Sequence, residues 1–163
     1  MKTERFTFAS LPKNVSEMRE LPEAALTSPF AVAALSVAAF CRYRESPEEA
    51  FAMVDFLKGP QPLSNFDRQF LKERLSGKEY KPFSFFAGSS PANNYTPAEP
   101  FAIEVSDGPY SYTNAGYAAL WLVSSGADSP RPVTLRQKGS QWFLWTISYL
   151  SDIRTPAAED PWA

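Results

Sequence analysis

Residues 116–147 read GYAALWLVSSGADSPRPVTLRQKGSQWFLWTI, and this stretch predicts three successive β-strands. In the first, Tyr117, Ala119, Trp121 and Val123 share one face of an extended segment, and Ala118, Leu120 and Leu122 share the other. Apolar residues on both faces predict a strand that is central or covered on both sides. In the second, Val133 and Leu135 oppose Thr134 and Arg136, the half-buried alternation. Lys138-Gly139-Ser140-Gln141 supplies a turn of hairpin length. Beyond it Trp142, Leu144 and Thr146 alternate with Phe143, Trp145 and Ile147, aromatic and β-branched types that suit a pleated surface. Core packing is the expected role of Trp142 and Trp145.

Upstream the period changes to that of helices. Ser28-Pro29 is a capped start, and from Phe30 to Cys41 only Ser36 is polar. A helix apolar nearly all round belongs at the centre of a protein. Ser46-Pro47-Glu48-Glu49 has the form of a capping box opening a second helix, which Gly59-Pro60 stops. A third opens at Ser64 to Asp67 with Phe66, Phe70, Leu71 and Leu75 as its apolar side. Asn14-Val15-Ser16-Glu17 predicts one or two further helical turns, and Arg5-Phe6-Thr7-Phe8 an edge strand or an arm. Residues 101–105 read as a strand, and Gly88 to Pro100 as a long loop without period. The expectation is α+β: about three N-terminal helices packed on a C-terminal antiparallel sheet of about four strands. One domain spans 1–163, with a helical half at about 14–77, a β half at about 82–150 and a docked tail at 151–163.

Composition excludes whole classes of chemistry. The 163 residues contain no histidine and one cysteine, Cys41, in an apolar run. Histidine-based acid–base catalysis, Ser-His-Asp and Cys-His centres, histidine zinc sites and thiolate clusters are therefore out of reach. Neither phosphate-binding glycine motif occurs. A net charge of −2 with scattered acids and bases offers no basic stripe for nucleic acid and no polybasic patch for a membrane. The longest apolar run falls short of the roughly 20 residues a bilayer requires. The start, MKTERFTFASLPKNVSEMREL, lacks the apolar core of a signal peptide. A cytoplasmic location with Cys41 as a buried thiol is expected, and no cofactor or metal.

Among carboxylates, Glu48 and Glu49 suit a helix start and Asp128 a turn, while Asp160 lies in the tail. The candidate ligand- or partner-binding residues are Asn93, Asn94 and Tyr95, Tyr110 and Tyr112, Arg131, Arg154 and Trp162. Tyrosine beside asparagine and serine is the composition of protein- and sugar-binding surfaces, and arginine anchors acidic partners. Arg136 is a further arginine of that kind.

The strings SSGADSPRP, QWFLW, DIRTP and EDPW, with DFLKGPQPLSNFDRQFLKERLSGKEY and NNYTP, resemble a family of bacterial domains of unknown function over nearly the whole chain. The resemblance implies a self-contained module and brings no assigned activity or catalytic residue. Helices followed by a curved antiparallel sheet are also similar to the cystatin-like or NTF2-like cone, an architectural likeness only. The expected function is a non-catalytic interaction or ligand-binding module, its partner another protein or a small ligand. The alternative is an enzyme of the cone type with a carboxylate and tyrosines in a pocket.

Overall fold

Helix α2, Pro29–Cys41, dictates where everything else goes. Ser28 caps it, accepting the Ala31 N–H at 3.4 Å, and Pro29 occupies the first turn. Every residue from Phe30 to Cys41 is buried, so the helix must be covered on all sides. The computed structural model, which describes residues 1–163, shows what covers it. On one side lies a five-stranded antiparallel sheet in the order β1 (Thr3–Phe8), β2 (Phe101–Ser106), β3 (Tyr117–Leu122), β4 (Arg131–Lys138), β5 (Gln141–Ile147). Elsewhere it is covered by α3 (Pro47–Lys58) and a 3-10 turn at Lys81–Phe85. α1 (Val15–Arg19) packs on α3, and α4 (Asn65–Leu75) follows it in the chain. The α+β class holds, with one more helix and one more strand than expected: α1 is the short segment capped by Asn14, and β1 takes the edge-strand option.

The inner face of the sheet is apolar throughout: Ile103, Val105, Ala118, Leu120, Leu122, Val133, Leu135 and Leu144 are all buried in the core. Its outer face is open, which corrects the reading of β3 as covered on both sides. Tyr117 and Ala119 are half-buried, and Trp121 is 40% and Val123 67% exposed. β3 is central by position instead, because α2 consumes only one face of the sheet. The hairpin β4–β5 turns at Gly139-Ser140 with Gly139 at φ 62°. The register skips Trp145 between the pairs Leu135↔Leu144 and Thr134↔Thr146. This bulge places Leu144 and Ile147 opposite the buried Leu135 and Val133 and re-aims Trp145 outward. Trp142 packs against the core and Trp145 does not.

β2 and β3 share only two register pairs, Val105↔Leu122 and Ser106↔Trp121. Residues 84–89 wedge into the opening. The Ala87 N–H donates to Ala102 O, and the Ser125 N–H to Ser84 O. The wedge is stitched by hydroxyls: Ser124 donates to Ser84 Oγ at 2.6 Å, Ser84 to Lys81 O and Ser89 to Phe86 O, each at 2.7 Å. Helix caps follow the sequence with one exchange. The reciprocal capping box forms at Ser64–Asp67 rather than Ser46–Glu49, where only the serine half is made.

One polar pair lies within the core. Ser36 Oγ donates to Ala33 O at 2.7 Å and so accepts from Tyr149 OH at 2.8 Å. Burial holds the Tyr149 hydroxyl far above its ordinary pKa, keeping it a neutral donor. Ser36→Ala strands that hydroxyl without an acceptor, whereas Tyr149→Phe leaves Ser36 with its Ala33 bond. In urea denaturation Ser36→Ala should cost about 2 kcal/mol and Tyr149→Phe about 1 kcal/mol or less; equal costs, or the reverse order, would contradict the assignment.

Candidate binding surface

The residues singled out in the sequence separate into those that tie down the tail and those that stand free. Asn93 is spent on its own loop: its side-chain oxygen accepts the Ser90 and Thr96 N–H groups, and its NH2 donates to Gly88 O and Thr96 O. Asn94 accepts the Ala158 N–H at 2.8 Å. Tyr95, expected in an exposed loop, is 2% exposed. It stacks on Tyr80 at 5.4 Å between centroids and donates to Arg154 O at 2.6 Å. It has no choice of surroundings, since the Gly126 turn closes on its hydroxyl so tightly that a Cβ at Gly126 would collide with it. Arg154 pairs with Asp128, and Arg131 donates to Asp152 O at 2.9 Å. These residues hold the 151–158 segment through Ile153 and Pro156, both buried. Trp162 does not dock and is 93% exposed. Tyr110 is exposed, and the Tyr112 hydroxyl donates to Asp107 at 3.2 Å.

The exposed aromatic surface lies elsewhere, along the outer edge of β5 where it faces α4. One end is a hollow of about 370 Å³ lined by Lys58, Pro60, Gln61, Arg136, Phe143 and Trp145 among others. Through Lys58 and Trp145 it continues into a second hollow of about 320 Å³ that adds Phe66, Phe70 and Ile147. Arg136 lies over Trp145 at 4.6 Å and over Tyr117 at 5.5 Å, and the two rings meet edge-on at 6.0 Å. This stack holds a guanidinium on the open face of the sheet without any carboxylate partner. Phe143 rests on Gly59, whose φ of 61° and absent Cβ let the end of α3 pass beneath the ring. Phe66 and Phe70, expected in the core, are 77% and 38% exposed. Successive helical residues turn by about 100°, so Phe66 and Phe70 form one stripe while Leu71 and Leu75 form another. Only the second is buried.

The edge of β5 is capped at two points. The Trp142 N–H donates to Leu26 O at 2.7 Å, and Lys58 Nζ reaches Trp145 O at 3.4 Å. Burial lowers the pKa of Lys58, with Asp67 and Asp55 acting the other way. The only carboxylate along the groove, Asp67, is occupied by the Ser64 N–H.

A family model described as "Domain of unknown function (DUF6935)" matches residues 10–157. The chain belongs to this family. No curated protein and no solved structure matches the DUF6935 chain. No helix of it is long and apolar enough to cross a membrane, and no cluster of three or more metal-ligating side chains occurs.

The DUF6935 domain carries a separate recess at the far end of α4. It measures about 500 Å³ and is lined by Arg74, Lys78, Tyr80, Lys81 and residues 151–153. Lys81 is only 5% exposed. Burial, then Lys78 and Arg74, bring its pKa down to about 8, with Asp152 pulling the other way. Neither this lysine nor Lys58 stood out in the sequence, since burial of a lysine depends on what packs above it.

Folded Lys81 releases its proton near pH 8, whereas an unfolded lysine holds it to about 10.5. Between these values the unfolded chain binds more protons, so stability rises with pH. Lys58 adds to this in the same direction. The Cys41 thiol, which burial holds well above its ordinary pKa, opposes it from about pH 9, where an unfolded thiol ionises first, and Tyr95, raised to about 12 by burial, opposes it from about pH 10. Cys41 and the tyrosines are common to both proteins, so the urea midpoint of the native protein should climb relative to that of Lys81→Met between pH 8 and 10. Parallel profiles for the two proteins across that range would refute the lowered pKa of Lys81.

Proposed function

We propose that the DUF6935 domain is a non-catalytic binding module whose working surface is the α4–β5 groove, and that it takes an acidic segment of a partner protein anchored by apolar side chains. The observation that carries this reading is the run of aromatics, Phe66 and Phe70 exposed and Phe143 and Trp145 half-buried, interleaved with Lys58, Arg136 and Lys138 against a single carboxylate, Asp67. Aromatic and arginine side chains dominate interface hot spots, and a positive lining selects a negative partner. Because β5 is capped at Trp142 and Trp145, the partner docks through side chains rather than by adding a strand along the edge. Arg131, Arg154, Asn94 and Tyr95 fix the tail and Asn93 its own loop, and none of them lines this groove. Tyr110, Tyr112 and Trp162 are outlying contacts. We place the module in a reducing cytoplasm, where the buried Cys41 thiol stays unpaired.

The alternative, an enzyme of the NTF2-like cone type, draws on one feature: Asp152 and Tyr80 flank the same recess. The Tyr80 hydroxyl there is directed to Ile153 O at 3.5 Å, and burial raises its pKa, which suits a structural donor better than an acid–base group.

The groove is tested by photo-crosslinking from position 70 in native protein and in Arg136→Glu, with position 110 as a control site. A crosslinked segment rich in Asp and Glu, obtained from position 70 and reduced about tenfold or more by Arg136→Glu, is the expected result. Crosslinks indifferent to Arg136→Glu, with circular dichroism showing both proteins folded, would dispose of the groove as the binding surface.

A further inference from the structure

We propose that the recess between the end of α4 and residues 151–153 is a binding site for a doubly charged oxyanion, with a phosphate group as the fitting chemistry. This is separate from the groove and does not rest on it.

Three cations, Arg74, Lys78 and Lys81, converge on the recess against one carboxylate, Asp152, an excess of two positive charges. None of the three takes part in any of the protein's four ion pairs, and no side-chain nitrogen of theirs has a hydrogen-bond acceptor within the protein. Arg74 is held in place by the face of Phe70, 4.4 Å from the ring centroid, which leaves its N–H donors free.

The C-terminus of α4 accounts for part of this arrangement, because cations are favoured at that end of a helix. It does not account for Lys81, which follows the helix by a turn and is 5% exposed. Its side chain is enclosed while its ammonium opens into the recess with no partner, and a cation stripped of part of its hydration in this way favours a negative charge beside it. Lys78 and Arg74 worsen the cost, as the depressed pKa of Lys81 records. A bound dianion would reverse it. A phosphate carrying a charge of about −1.5 to −2 near neutral pH matches the excess in the lining. Lysines acting as point charges and one arginine donor set suit its tetrahedral oxygens. Tyr80, neutral through this range because its pKa is raised, and Ser151 complete the polar rim.

Amide spectra of the 15N-labelled full chain, titrated separately with sulfate, inorganic phosphate, glycerol phosphate and acetate, test the site. Saturable shifts at Lys78, Lys81, Asp152 and Ile153 with the dianions, and far weaker ones with acetate, are expected. Lys81→Met should weaken binding about tenfold or more, and Asp152→Asn should strengthen it roughly three- to tenfold by removing the competing charge. Sulfate keeps its charge as pH rises, so its affinity should fall as Lys81 deprotonates near pH 8. Glycerol phosphate binding as well as inorganic phosphate identifies a phosphate monoester as the ligand; inorganic phosphate and sulfate alone identify the free ion. Shifts that do not saturate, acetate shifts equal to those of phosphate, or unchanged binding in Lys81→Met with a native spectrum would overturn the proposal. Should Lys81→Met not fold, Lys78→Gln with Arg74→Gln at the partly exposed rim gives the same reading.

Discussion

The structure rests on a helix that has no solvent side. α2 is buried from Phe30 to Cys41, and four of its alanines, Ala33, Ala34, Ala38 and Ala39, are completely enclosed. Small side chains let neighbouring backbones come close, so dispersion contacts replace the volume that larger residues would fill. Surrounding such a helix takes more than one layer. The sheet covers one flank, α3 a second, and the Lys81–Phe85 turn a third, where Phe85 and Phe40 clasp the ring of Tyr149 edge-on at 5.4 and 6.0 Å. The chain spends its coverage on that helix. The outer face of the sheet and one flank of α4 are left bare as a result.

That distribution explains where the functional surfaces fall. The Lys81–Phe85 turn and the 84–89 wedge must reach α2 through the gap between β2 and β3, and the serine hydroxyls satisfy the polar backbone that this path would otherwise bury unpaired. Lys81 is carried inward at the start of the same turn, and so a lysine becomes enclosed beside Arg74 and Lys78. On the other side, α4 needs only Leu71 and Leu75 to hold it, which frees Phe66 and Phe70 to face β5 across the groove. A bulge at Trp145 then turns its indole out toward Arg136.

The sequence made the framework legible where local chemistry is decisive. Caps at Ser28, Ser46 and Ser64, the Gly139 turn and the alternation of Val133 and Leu135 require no knowledge of distant partners. The all-apolar run of α2 likewise announced its own burial. Legibility ended where a side chain's fate depends on non-local packing. Tyr95 sits in a stretch of loop composition yet is buried, because the Gly126 turn and the tail fold over it. Phe66 and Phe70 have core composition yet are exposed, and their angular separation from Leu71 and Leu75 was the available signal. Arg136 could be placed on the polar face by alternation, but its stacking on Trp145 depends on a bulge that periodicity does not reveal. Nothing local distinguishes Lys81 from the other lysines. Membership of the family fits the breadth of the sequence likeness, which runs through helices, wedge and tail together.

Hydrogen exchange of the backbone amides bears most directly on the central claim. If α2 is the helix on which all other elements close, the amides of Ala33 to Phe40 exchange only when the whole protein unfolds, with a free energy equal to that from urea denaturation, while those around Phe66 exchange by local opening. Exchange of the α2 amides at the rate of the α4 amides, well below the global unfolding free energy, would contradict it.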